Sequence, residues 1–428
     1  MPSDLSDRER HSGDAHRRSD RTVLSAKAIA LRLGLPADLP PAVRYAALFY
    51  LAHILCLGWN AITQIFLGLA IIAAGLAVRK RQLSIPFHPL YLPLLVYCIA
   101  TTISHMLRPN PWDSRLDMSE WFYFLAFPLG ITLLGSISNL FQRSVGALIA
   151  VATFLSGYGL VQYFLLGYHE KDIEKRITAS LSHVMTFSGM MVAMSLLLIL
   201  LAFLRRDRLT MTAAAMTSAA LMVTFTRGAW IGWSAGLLVV LLQRRARWVF
   251  YLLPAVILAV TFSPLALFAR LVSTFDLQQA SNLDRIRMVQ AGAGIIADYP
   301  LFGVGPSNIK EIYPLYRSTD APRFVVPHLH NNLVQIWAER GLFALIGYLM
   351  ILAIFLRSCL SVRGDDPERR RWADIGVAVT VALTVAGAFE YNFGDSEVLF
   401  TTLVVFVLVT RGIEGIHPPG QDSAVSGA

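Results

Sequence analysis

Two histidines one residue apart, His328 and His330, stand at the mouth of an apolar run in Pro327-His328-Leu329-His330-Asn331-Asn332. Imidazole is the side chain best suited to removing a proton near neutral pH. In an extended segment residues two apart project to the same side, so the spacing predicts both rings facing one cavity. Pro327 biases Val326 toward that extended geometry. Interfacial histidines bonded to loop carbonyls would give the same pattern. A zinc site would need a further ligand at suitable spacing, and none is obvious.

Cations and acids elsewhere in the chain fit a site of this kind. Arg227 interrupts an apolar stretch in Thr224-Phe225-Thr226-Arg227-Gly228. A guanidinium there could bind a phosphate in bidentate fashion, or snorkel to lipid phosphates. Arg285 and Arg287 sit two apart on a helix-patterned segment and diverge, so one of them faces inward; Arg285 could also pair with Asp284. Glu339 lies about two turns inside the next helix, on the face of Asn332 and Gln335. It is either functional or half of a structural ion pair with a neighbouring arginine. Glu390, Asn392 and Asp395 occupy a tight turn, where the acids could orient a histidine or an acceptor, or cap helices. Gly303-Val304-Gly305 lacks the Gly-Lys-Ser/Thr continuation of a phosphate loop and reads as a turn.

The elements that must position these groups are membrane helices. The chain is 55% hydrophobic and 15% charged, with a mean hydropathy of +0.55. A soluble protein of this length would need more polar surface. The apolar runs lack the alternation of a barrel, so the spans are helical. Cys56, Cys98 and Cys359 form neither a metal spacing nor a disulfide framework. The polar first 41 residues do not resemble a cleavable signal peptide; Ala26 to Leu35 could form a short interfacial helix.

Runs of about 17–25 apolar residues give roughly twelve spans. They lie near 42–57, 60–78, 87–106, 119–138, 144–167, 183–204, 209–226, 228–243, 247–264, 333–357, 372–389 and 397–412. With the Arg-rich tail inside, basic clusters fall in alternate loops, including Arg79-Lys80-Arg81, Arg205-Arg206 and Arg369-Arg370-Arg371. The positive-inside rule then puts both termini in the cytoplasm, and the net charge of +9 reflects orientation rather than nucleic-acid binding. The expected organisation is a disordered tail over 1–41, nine spans over 42–264, an outer loop over 265–332, three spans over 333–412 and a disordered tail over 413–428. Helices over Asn282 to Ala297, capped by Ser281 or Asn282, and over Ile309 to Tyr316 make that loop a mostly helical lid. Both histidines, Arg227, Arg285 and the Glu390–Asp395 turn then share the outer face, which excludes nucleotide chemistry.

Several stretches resemble the O-antigen ligase/polymerase family. They are Arg285-Ile286-Arg287-Met288, Asp298-Tyr299-Pro300-Leu301-Phe302-Gly303-Val304-Gly305, the segment Pro327 to Asn332, Glu339-Arg340-Gly341-Leu342, and the Glu390 to Asp395 turn. The motifs cover roughly Thr224 to Asp395. Thr226 stands where the family usually has Ser, and Val289 where many members have Trp. The resemblance implies a metal-independent, cofactor-free glycosyltransferase in a bacterial inner membrane, with its site facing the periplasm. It would move a glycan from undecaprenyl pyrophosphate to lipid A-core, with inversion. By resemblance, His330 matches the catalytic histidine, and Arg227 and Arg285, with Arg287, the donor-binding cations. His328, Asn331, Asn332, Glu339, Glu390, Asn392 and Asp395 would support them or contact the acceptor. A polymerase, with a lipid-linked glycan as acceptor, shares the signature. A secondary transporter is the rival from another class, although no internal repeat is visible and the polar residues gather at one face.

Overall fold

The computed structural model describes residues 25–107, 119–168, 176–243, 279–362, 364 and 366–415. Among these every regular element is a helix, as expected of apolar segments that must satisfy their own backbone groups. Five of the described helices are long and apolar enough to cross a membrane: Asn60–Arg79, Leu140–Phe164, Val184–Arg205, Asn332–Leu360 and Ser396–Glu414. Pro41–Leu55 and Tyr91–Leu107 are apolar but shorter. The fourth expected span is broken into Ser119–Phe124 and Ala126–Ser136. The expected span near 247–264, most of both tail assignments and the loop through 278 lie outside the described residues. Ala26–Arg32 is helical, with the Ser25 side chain accepting from Ala28 N at 3.2 Å.

Small residues set the closest helix pair. We label Arg227–Gln243 α1 and Pro367–Ala386 α2. Gly228, Gly232 and Gly236 recur every fourth residue and so share one face of α1. That face meets Ala378, Ala382 and Ala386 of α2, where a Cβ on Gly232 or Gly236 would collide with the carbonyl oxygens of Ala382 and Ala378. Close backbone approach of this kind is how helices associate where lipid removes any hydrophobic advantage. It also sets Arg227, the first residue of α1, beside the end of α2. Gly232→Val forces the pair apart; with overpacking costs of about 1–3 kcal/mol, the melting temperature of the detergent-solubilised protein falls, which a thermal-shift assay reads.

The helix Asn332–Leu360, α3, is two helices joined at Gly341, whose φ of 82° and ψ of 178° break the ladder. The freed backbone groups find partners in the preceding loop. Val304 N and Gly305 N donate to Ala338 O and Glu339 O at 3.0 and 2.8 Å, and Leu342 N donates to Pro300 O at 3.1 Å. Gly303 and Gly305 take positive φ there, which glycine tolerates. The Gly303-Val304-Gly305 turn is thus the patch over a broken helix.

The lid is seated on α3. Its helices are Ala280–Asp298, α4, and Ile309–Tyr316, α5. Met288, Ile295, Val304, Ile309 and Tyr313 form a second small core that includes Leu329 and Ala338. The expected side-chain cap is absent: Gln279 is the N-cap residue of α4 and makes no cap bond.

Candidate active site

Hydrogen bonds across the ends of α2 and α3 bring the histidines to an acid 60 residues away. Asn332 N donates to Gly387 O at 2.6 Å, and Asn331 Nδ2 to Ala388 O at 3.1 Å. His330 Nδ1 then lies 2.8 Å from Glu390 Oε2, and His328 Nδ1 3.7 Å from Glu390 Oε1. The two rings are 4.3 Å apart. They do meet, though not through extended backbone: His330 has φ of 50°, so a left-handed residue swings its ring round. Burial pushes the Glu390 carboxyl up, but the His330 hydrogen bond and the electrostatic influence of the two imidazoles and Arg285 outweigh it and hold it below the ordinary value. An ionised carboxylate only accepts, so the neutral form of the His330 ring has its proton on Nδ1, facing Glu390, and its lone pair on Nε2. Burial pushes His328 down to about 4, which keeps it neutral beside its neighbour.

The arginines separate by position. Arg227 is buried, and its guanidinium donates to Gln279 Oε1 at 2.5 Å, Ser281 Oγ at 2.8 Å and Asn282 Oδ1 at 2.9 Å. Ser281 and Asn282, the expected caps, therefore tie the lid to α1 instead. Arg285 lines a small cleft with Glu390, Thr226, Gly228, Met185 and Ser188. Its expected pairing with Asp284 is replaced, because Asp284 pairs with Arg323 at 2.8 Å. Arg287 turns away to Asp320 at 2.5 Å and Gln290 at 2.7 Å, so the structure does not bring it into the cleft. Arg176 and His183 escaped the sequence reading. Arg176 Nε and Nη2 both donate to Thr224 O, at 3.1 and 2.5 Å, which clamps the break before Arg227. His183 caps the helix Val184–Arg205 by accepting from Met185 N at 3.2 Å, and it couples electrostatically to Glu390 and His330.

Residues 212–349, which carry His328, His330 and these arginines apart from Arg176, match the family model described as O-Antigen ligase. That stretch is similar to the O-antigen ligase family. No curated protein matches the chain. Glu390, Asn392 and Asp395 lie beyond the matched segment, so their place beside it rests on the geometry.

The remaining polar groups of the site hold helix ends. Asn331 Oδ1 accepts from Val334 N at 3.0 Å and caps α3. Asn332 Nδ2 donates to Asn392 Oδ1 at 2.7 Å, and Phe393 N to Asn332 Oδ1 at 3.2 Å. Glu339 does not reach the cleft; it pairs with Arg340 and accepts from Ser307 N at 2.6 Å. Asp395 caps Ser396–Glu414 through Val398 N at 3.2 Å and accepts from Thr186 Oγ1. His328, His330 and Glu390 also place three possible metal-ligand atoms within 4.8 Å of one another. The missing third ligand of the sequence reading thus exists, supplied from far along the chain. Arg285 near Glu390 and Arg323 near His328 act against a divalent cation there.

Asp395 gives the site end a pH signature. Burial, reinforced by Glu397, pushes its carboxyl up to about 6. The folded chain therefore holds that proton more tightly than the unfolded one. Its stability contribution is full below the ordinary carboxylate value and is lost as pH rises through about 6. The melting temperature in detergent accordingly declines between about pH 4 and 7, and Asp395→Asn, which keeps the cap, flattens that decline. Glu390, shifted downward, acts in the opposite sense at lower pH.

Proposed function

We propose that this chain is a glycosyltransferase of the O-antigen ligase type, transferring a glycan from undecaprenyl pyrophosphate to a sugar hydroxyl of lipid A-core. The observation that carries this reading is the bond from His330 to Glu390, a residue that lines the same cleft as Arg285, with His330 and Arg285 both inside the family-matched segment. His330 Nε2 takes the proton of the acceptor hydroxyl as its oxygen attacks the anomeric carbon. The acceptor C–O bond forms while the bond from that carbon to the pyrophosphate oxygen breaks. The charge gained by the departing undecaprenyl pyrophosphate falls to Arg285, with Arg227 at the lid hinge, so guanidiniums supply the neutralisation. One displacement inverts the anomeric centre. The reading includes about twelve spans, with both termini cytoplasmic and the lid in the periplasm of a bacterial inner membrane; alternate basic loops support it.

The test supplies purified enzyme with a lipid-linked glycan donor and two competing acceptors, lipid A-core and a second lipid-linked glycan. Glycan on lipid A-core is the expected outcome. Chain growth on the lipid-linked glycan would make the protein a polymerase, and no transfer to either would sink the transferase reading.

A further inference from the structure

The costliest group in the described structure lies outside the cleft. Arg340 is buried between Glu120, 2.5 Å away, and Glu339, with side-chain exposures of 4%, 8% and 4% respectively. Removing three charges from water costs several kcal/mol per ion, and well-packed apolar residues of similar volume often serve stability as well or better. Stability alone therefore gives no reason for this cluster. Its connections do.

Three structures meet at Arg340. Toward the lid, Glu339 Oε1 accepts from Ser307 N at 2.6 Å, directly after the turn that patches the Gly341 break. Toward the helix Ser119–Phe124, Glu120 anchors the other side of the guanidinium. Toward the cleft, Arg340 Nη1 donates to Tyr391 Oη at 2.8 Å. Tyr391 N in turn donates to Glu390 Oε1 at 3.2 Å, and the other oxygen, Oε2, holds His330. The Tyr391 ring also lies 6.0 Å from that of His328.

Resting on the transferase reading above, we infer that Arg340, acting through Tyr391, is a positioning residue that aims Glu390 and thereby fixes the orientation of the His330 base. Arginine suits the task because its planar fork reaches Glu120, Glu339 and Tyr391 together; a lysine ammonium is a single point. The lid that carries Arg285 is tied to the same guanidinium through Glu339. One buried group thus keeps the proton acceptor and the leaving-group cation in a common frame.

Tyr391→Phe tests this while keeping the ring and both carboxylate partners of Arg340. Its kcat falls about tenfold, equivalent to about 1.4 kcal/mol, with KM for donor and acceptor unchanged. In a Glu390→Gln background the same change has no further effect, since the carboxylate it aims is gone. An additive loss, a rise in KM alone, or wild-type kcat would overturn the inference. Carbethoxylation of His330 by diethylpyrocarbonate, followed by peptide mass spectrometry, reads the same geometry without glycan transfer. It slows in Tyr391→Phe as Glu390 loosens its hold, and an unchanged rate overturns the positioning role. Slowed modification in a protein that transfers no glycan would uphold the positioning role and overturn the reaction it was taken to serve.

Discussion

Replacing His330 with Asn is expected to lower the rate of glycan transfer by about 10²–10⁴-fold, the ordinary contribution of a positioned general base, without loss of folded protein. Asn is the informative replacement because it tolerates the left-handed conformation, here φ of 50°, and so separates loss of the base from backbone strain. Glu390→Gln should cost less, about 10–100-fold, because it removes the charge but leaves a side chain that can still accept from Nδ1. His328→Ala should cost least, since His328 stands 3.7 Å from Glu390 and burial keeps it neutral. The measurement is initial rate against donor concentration on protein matched by size-exclusion profile. Asn at 330 with wild-type turnover would remove His330 from the chemistry.

That ordering was only half legible in the sequence. The histidines announced themselves because charged and polar groups at the mouth of an apolar run are costly to place. The partner that makes one of them a base did not, because Glu390 reaches His330 through turn geometry after α2. Its own segment could serve equally as a pair of helix caps, and Asp395 does cap. The left-handed turn at His330 was likewise hidden: the pairing of rings was expected for a geometry the backbone does not adopt. Arg176 gave no signal at all, since its role is to bind the main-chain oxygen of Thr224, and a carbonyl carries no residue identity. The helix Ala280–Asp298 was readable from apolar spacing, but its buried face was not: Ile286 and Val289 are exposed, and Met288, Ala291 and Ile295 seat it. The broken helix beneath it was not readable either, because Gly341 fits a helix in sequence and breaks one only where Pro300 to Gly305 arrive to take up the freed groups. The glycine stripe Gly228, Gly232 and Gly236 was open to view, and its fourfold spacing carries a close backbone contact near the site.

Periodicity alone left Arg285 and Arg287 equivalent, and their environments now set opposite expectations. Arg285 lines the cleft with Glu390 and lowers the pKa of that carboxyl, so its charge already acts across the space a pyrophosphate would enter. Arg287 spends its donors on Asp320 and Gln290. Arg285→Ala is therefore expected to lower kcat/KM by about 10²–10³-fold, the usual loss when a preorganised group facing developing charge is removed. Arg285→Lys should recover part of it, because an ammonium supplies charge without the bidentate fork. Arg287→Ala should change kcat/KM by less than about threefold, since exposed pairs contribute only about 0–1 kcal/mol. The two alanine variants, assayed side by side with the same lipid-linked donor, decide the matter. Equal losses would mean that both guanidiniums serve the donor and would remove the distinction drawn between them. A loss confined to Arg287 would reverse the assignment of the leaving-group cation.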